Sequence, residues 1–237
     1  MPESVTRNII ALGGGGFSTD PGDLRLEEYV LSTAHNARPR ICFLPTASGD
    51  STDYIDRFYN AFNRLPCVPS VLSLFHPATS DLRGHLLNQD VIYVGGGNTR
   101  NMLAMWREWE LDLALVEAWK SGVVMAGISA GANCWFEKCV TDSNPGRLSV
   151  MACLGVLPGA YCPHYELEAA RRAATHRLML AGEMNSCWAV DDGVALHFVG
   201  SEFSKAIGNR EEARAFHVST GIDGQMIESP IAISILN

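Results

Sequence analysis

Five apolar runs, at residues 9–12, 41–44, 68–74, 91–94 and 123–126, are separated by longer amphipathic stretches around residues 22–36, 51–65, 80–88 and 98–120. No other feature limits the possible folds of this chain as strongly. A short, continuous apolar run suits a strand buried on both faces, and an amphipathic stretch of ten or more residues suits a helix that covers one of them. Strands that alternate with helices return in parallel, so the pattern predicts an α/β protein with a mostly parallel sheet covered on both sides. After Cys187 the pattern changes. Short β-rich runs at residues 195–199 and 216–219, with turns at Gly200, Gly208 and Asp223-Gly224, predict β-hairpins added to the sheet edge. With 237 residues, 47% of them hydrophobic, and neither a repeat nor a low-complexity linker, the expected unit is one domain spanning residues 1–237.

The last of the five runs ends in Gly127-Ile128-Ser129-Ala130-Gly131. A serine between two glycines directly after a strand has the form of a nucleophile elbow, in which the glycines avoid clashes in a tight turn and a helix follows. The hydroxyl then stands at a helix N-terminus, where unpaired N–H groups favour the negative charge of acyl transfer. The pentapeptide alone equally fits a strand that simply turns tightly into a helix. The fourth run leads into Gly95-Gly96-Gly97-Asn98-Thr99, with a helix expected from Asn98 through Trp106. A loop of this kind exposes backbone donors. It suits an oxyanion hole shared between Gly96 or Gly97 and Ala130, and it also suits close strand–helix packing or a phosphate cradle.

Acyl transfer by a serine needs a base and an orienting acid. Of seven histidines, His164 stands apart, because Pro163 interrupts regular structure just before it and a helix is expected over residues 166–180. Downstream, Cys187-Trp188-Ala189-Val190 reads as a strand that ends on Asp191-Asp192-Gly193. This delivers a carboxylate at a strand terminus, although Asp-Asp-Gly is also ordinary hairpin chemistry. Side chains alternate along a strand end, so one of the two aspartates is expected to reach the histidine and the other to point away.

The order serine, histidine, aspartate differs from that of the common lipases and esterases, where the acid precedes the histidine. With the glycine loop upstream, the chain resembles the peptidase E family of serine peptidases, which belongs with cyanophycinase-like enzymes. The matching pieces are Tyr93-Val94-Gly95-Gly96-Gly97-Asn98-Thr99, Gly127-Ile128-Ser129-Ala130-Gly131-Ala132, Pro163-His164-Tyr165 and Val190-Asp191-Asp192-Gly193. The resemblance implies a three-layer sandwich like that of class I glutamine amidotransferases. It also implies a cytoplasmic exopeptidase that cleaves dipeptides and other short peptides beginning with aspartate, through an acyl-enzyme. Ser129 is then the nucleophile, His164 the general base and acid, and Asp192, next to the glycine turn, the orienting group, with Asp191 as the alternative. Asn98, Thr99 and an arginine among Arg171, Arg172 and Arg177 are the implied substrate contacts. Cyanophycinase-like or isoaspartyl peptidase activity, and a non-catalytic ligand-binding relative, are the alternative readings.

Other classes fit less well. Gly13-Gly14-Gly15-Gly16 after the first run suggests a dinucleotide site, but Ser18 occupies the third glycine position and no ribose-binding acid follows Leu44-Pro45-Thr46. The same glycine run is instead expected to border the substrate cleft. Amidotransferases carry cysteine at the elbow, where this chain has Ser129. No HExxH or comparable cluster suggests a metal, and no cofactor is expected. A net charge of −8 without a basic run argues against nucleic acid and leaves a small peptide substrate, or a second copy of the chain in a homo-oligomer, as the expected partners. Met1-Pro2-Glu3-Ser4 does not open a signal peptide, and no segment approaches the ~20 apolar residues that span a bilayer, so a cytoplasmic location without membrane contact is expected. The seven cysteines lack zinc-type spacing and are expected to be reduced, with Cys162 close enough to His164 to make the site sensitive to thiol reagents.

Overall fold

A computed structural model describes residues 5–166, 168–221 and 223–237. Met1, Pro2, Glu3 and Ser4, on which the reading of the N-terminus rests, and Leu167, within the expected 166–180 helix, lie outside the described residues. The first half alternates as the apolar pattern predicts: β1 (Asn8–Leu12), α1 (Arg25–Ser32), β2 (Arg40–Leu44), α2 (Thr52–Phe62), β3 (Val68–Val71), α3 (Leu82–Leu87), β4 (Val91–Val94), α4 (Thr99–Glu108), α5 (Leu111–Lys120) and β5 (Val124–Ile128). The 98–120 stretch forms two helices. Glu110 between them has φ 52°, a left-handed conformation through which a right-handed helix cannot run. The last apolar run but two ends early, because the ladder of β3 on β2 closes at the pair Phe43–Val71.

β5 leads into a single helical turn, α6 (Ala130–Asn133), followed by β6 (Phe136–Thr141), β7 (Ser149–Ala152) and β8 (Leu157–Pro163). The remaining elements are α7 (Ala169–Leu180), β9 (Ser186–Val190), β10 (Val194–Val199), β11 (Glu202–Gly208), β12 (Ala215–Thr220), β13 (Met226–Pro230) and β14 (Ile233–Ile235). Among the described residues the strands form two sheets. One has eight strands in the order β14-β11-β10-β1-β5-β4-β2-β3, and the other has six in the order β13-β12-β9-β8-β6-β7. The expectation of hairpins on one sheet edge therefore holds only in part. β10 and β11 do extend the large sheet, antiparallel to β1, but β12 pairs with β9 and belongs to the second sheet.

Alternation along β1 sets the layers. Ile10 and Leu12 face Phe17, Leu26, Val30, Phe58 and Phe62 beneath α1 and α2. Ile9 and Ala11 face the opposite way, into a cluster with Trp106 and Leu115 from α4 and α5, with Trp135 from the turn before β6, and with Phe136 and Tyr161 from the second sheet. The large sheet is thus the middle of a three-layer α/β sandwich. On the far face of the second sheet, Leu178 and Met179 of α7 cover Cys162, Ala189 and Val218. α2 shows why such elements form: Tyr54, Phe58, Ala61 and Phe62 fall on one helical stripe and are all buried. Each large side chain buried this way contributes about 1.5–3 kcal/mol, several times the propensity cost of an aromatic residue in a helix.

Candidate active site

In the large sheet β5 lies between β1 and β4, parallel to both, so the glycine runs after β1 and β4 flank the residue that follows β5. That residue is Ser129, with φ 54° and ψ −111°, a strained conformation for a residue with a side chain and the signature of an elbow. The backbone crossing explains both elbow glycines. A Cβ on Gly127 would stand 2.1 Å from the Gly131 carbonyl oxygen, and one on Gly131 would stand 2.2 Å from that of Val94. α6 is only one turn long, but it returns the N–H groups of Ala132 and Asn133 to the Ser129 carbonyl and leaves those of Ala130 and Gly131 without partners among the described residues.

The second sheet contributes the groups that face the serine. β8 and β9 run parallel with Pro163 opposite Val190, so His164 and Asp191-Asp192 emerge side by side from neighbouring strand ends. His164 Nε2 lies 2.8 Å from Ser129 Oγ, and His164 Nδ1 lies 2.5 Å from Asp192 Oδ1. An ionised carboxylate only accepts, so Nδ1 carries the ring proton and Nε2 is left to accept from the serine hydroxyl. His164 is itself held at φ 55°. Its neighbour Tyr165 is fully buried and donates to Glu228 of β13 at 2.5 Å, which ties the loop to the far edge of the sheet.

Asp191 has a different task. Its two carboxylate oxygens accept the N–H groups of Glu166 at 2.8 Å and Arg214 at 2.9 Å. Burial raises its pKa, and the two amide bonds offset this only in part. Sequence reading undervalued Gly14. A Cβ there would lie 2.1 Å from Asp192 Oδ1 and 2.6 Å from His164 Cε1, so bare backbone covers the histidine–aspartate pair. The four-glycine run was the available signal. Beneath it sits Glu27, wholly buried, whose Oε1 accepts the Phe17 N–H at 2.9 Å and whose Oε2 has no partner among the described residues. Burial pushes the Glu27 pKa up to about 7.

The N–H groups of the second glycine loop are almost all engaged. Those of Gly95, Asn98 and Thr99 donate to the Leu44 carbonyl, the Ala47 carbonyl and the Ser143 hydroxyl, and that of Gly96 donates to the Tyr54 hydroxyl at 3.2 Å. Only the Gly97 N–H, at an exposed position, has no partner among the described residues. The loop touches the elbow, since a Cβ on Gly96 would be 3.5 Å from Ser129 Cβ.

Other expected contacts are used elsewhere. Asn98 caps α4 by accepting the Asn101 N–H at 2.9 Å. Thr99 is buried, and its hydroxyl accepts from Asn133 Nδ2 at 3.2 Å, so its side chain belongs to the framework rather than to the cleft. Arg172 pairs with Glu166 and Glu228, and Arg177 donates to the Leu148 carbonyl at 2.9 Å. Arg171 is 4% exposed, donates to Glu168 at 2.5 Å and to the Val140 carbonyl at 3.4 Å, and keeps Nη2 3.6 Å from the Asp142 carboxylate, an ion pair beyond hydrogen-bond length. The expected sensitivity through Cys162 is corrected by burial, which leaves this thiol 0% exposed with its pKa pushed up to about 11. Among the described residues, no group of three or more His, Cys, Asp or Glu side chains is placed to hold a metal ion, and no helix is long and apolar enough to cross a membrane.

A serine at a strained elbow, backed by a histidine across the seam of a three-layer α/β sandwich, is an arrangement that can carry acyl transfer. The chain belongs to peptidase family S51, whose sequence profile matches residues 9–206. It is 52% identical over 230 residues to the uncharacterized peptidase YgaJ of Bacillus subtilis (strain 168), covering 97% of this chain and 99% of that one. Among solved structures the fold is similar to that of a putative peptidase E protein from Listeria monocytogenes EGD-e, with a TM-score of 0.64 and 18% identity over 84% of this chain and 97% of that one. It is also similar to a peptidase from an acI-B1 Actinobacterium, with a TM-score of 0.73 and 17% identity over 95% and 96% of the two chains.

Proposed function

We propose that this peptidase is a serine exopeptidase that hydrolyses short peptides beginning with aspartate, dipeptides foremost, through an acyl-enzyme. The observation that carries the reading is the continuous relay Asp192–His164–Ser129, with contacts of 2.5 and 2.8 Å. Ser129 Oγ attacks the scissile carbonyl carbon as His164 Nε2 takes its proton. The imidazolium, held and stabilised by Asp192, then gives that proton to the departing amine. Water enters the vacated space, its oxygen bonds to the acyl carbon as His164 Nε2 takes one of its protons, and the second tetrahedral intermediate collapses with that proton returned to Ser129 Oγ, which frees the serine and releases the aspartyl product as a carboxylic acid. The oxyanion of both tetrahedral intermediates is held by the N–H groups of Ala130 and Gly97, two donors without partners among the described residues. Gly96, the other expected donor, already gives its N–H to Tyr54.

Arg171 is the best supported of the three arginines for the acidic side chain. Its guanidinium is buried and only loosely engaged at Nη2, beside a loop whose Ser143 accepts from Thr99. Turnover of an Asp-Xaa dipeptide panel tests the reading. Ser129→Ala should lose ~10⁴-fold or more in turnover while remaining folded, and Arg171→Met should raise KM for Asp-Xaa at least tenfold, the scale of one lost charge-assisted contact of about 1.5–3 kcal/mol. A Ser129→Ala protein that keeps a tenth of wild-type turnover rejects the serine mechanism. An unchanged KM in Arg171→Met rejects only the acidic anchor.

A further inference from the structure

We propose that Tyr54 is a positioning residue for the oxyanion-binding loop: by accepting the Gly96 N–H it fixes the peptide planes so that the next N–H, that of Gly97, faces the cleft beside Ser129. The inference rests on the acyl-transfer reading above. Its basis is the run of five consecutive N–H groups from Gly95 to Thr99. Three reach backbone or hydroxyl acceptors elsewhere in the chain, one reaches Tyr54, and one has no partner among the described residues. A peptide plane between glycines meets little steric resistance to rotation, so its orientation depends on what its N–H and C=O bind. Here the acceptor is a phenol on α2, far away in sequence. The Tyr54 ring cannot readily turn aside. It stacks on Phe17 at 5.6 Å, meets Phe43 edge-on at 5.1 Å, and has the Arg57 guanidinium 5.4 Å above it.

The hydroxyl is also chemically suited to the task. Burial raises the pKa of Tyr54, so the phenol stays neutral and accepts from Gly96 without placing a negative charge beside the developing oxyanion. The loop lies between this hydroxyl and the serine: a Cβ on Gly96 would be 4.0 Å from Tyr54 Oη and 3.5 Å from Ser129 Cβ. Without the hydroxyl, Gly96 N–H has no acceptor, and the planes on both sides of it are free to rotate away from the geometry an oxyanion needs.

The test compares wild type, Ser129→Ala and Tyr54→Phe. Each is treated with a fluorophosphonate, which bonds to an activated serine oxygen as fluoride leaves and whose phosphonyl oxygen uses the same donors as an oxyanion. Each is also assayed for hydrolysis of p-nitrophenyl acetate. Tyr54→Phe keeps the ring and removes one oxygen, and all assays are run well below its melting midpoint. Removing an oxyanion donor outright costs ~10²–10³-fold in kcat, and misaligning one should cost about tenfold. The expected result is that Tyr54→Phe labels at Ser129 about tenfold more slowly and loses about tenfold in kcat, with KM within about threefold of wild type. Labelling and kcat within twofold of wild type overturn the proposal, as does a rise in KM that accounts for the whole loss. A wild-type protein that is not labelled at Ser129 overturns the serine reading itself, which separates the two failures.

Discussion

Asp191 and Asp192 are adjacent, chemically identical and both in contact with the His164 loop, yet they bind different partners. Replacing each by asparagine should therefore give two different kinds of damage. In Asp192→Asn the amide can still approach His164 Nδ1, but it no longer stabilises an imidazolium and can present an N–H to a ring nitrogen that must itself donate. That wrong tautomer typically costs ~10⁴-fold in kcat while the fold is spared. In Asp191→Asn the side chain has one acceptor oxygen where two were in use, at 2.8 Å to Glu166 and 2.9 Å to Arg214. Its NH₂ group then faces a backbone donor. An unsatisfied donor costs about 1–3 kcal/mol, and because burial already raises the pKa of Asp191, loss of the charge itself adds little. At about 2–4 °C per kcal/mol for a domain of this size, a loss of about 2 kcal/mol lowers the melting midpoint by about 4–8 °C. Turnover should fall less than tenfold, since the relay through Asp192 is untouched. Thermal melts and dipeptide turnover on both variants decide the matter. If Asp191→Asn loses turnover as severely as Asp192→Asn with an unchanged melting midpoint, the division of labour is wrong.

Glu27 makes stability depend on pH. Its folded carboxyl keeps its proton to about pH 7, whereas an unfolded one releases it near 4.5, so its contribution is complete below 4.5 and is lost as pH rises to about 7. That interval corresponds to about 3 kcal/mol. Urea titrations at pH 5 and 8 should show Glu27→Gln, which keeps an acceptor for the Phe17 N–H, losing much less stability over this range than wild type; equal losses refute the assignment. Gly14→Ala should reduce turnover at least a hundredfold, the scale of a 1 Å misplacement of a reacting group, because its methyl overlaps Asp192 and His164. Normal turnover in that variant means that the glycine run does not cover the pair. Native protein incubated with iodoacetamide should keep its activity, since Cys162 is fully buried and its thiol is protonated. Activity lost in step with Cys162 alkylation contradicts this.

The parts of this molecule legible in the sequence are those written in local code. The elbow at Ser129, the loop at Gly95-Gly96-Gly97, and the strand ends before His164 and Asp192 are each specified within about ten residues by glycine, proline and apolar runs. Strand partners are not local. Residues 186–190 and 194–199 form similar apolar runs, yet β9 joins one sheet and β10 the other, a choice made by side chains such as Phe136, Tyr161 and Phe198 that pack between them. Tyr54 was hidden for another reason. It sits on the buried stripe of α2 with Phe58 and Phe62, and one oxygen at the end of a core aromatic leaves no mark on the periodicity. Glu27, likewise, looks in the sequence like any acidic residue in the first turn of a helix.

The relay crosses a seam. Ser129 is delivered by the large sheet, while His164 and Asp192 are delivered by the small one, and side chains of the shared core hold the two sheets in register. A hydrogen bond of 2.8 Å fails with a slip of under 1 Å, which is less than loosened packing permits well before either sheet loses its own ladder. Under the proposed mechanism the protein should act as a gauge of its own assembly: warming or a cavity in the seam should part Ser129 from His164 while both halves remain folded, so that inactivation precedes melting.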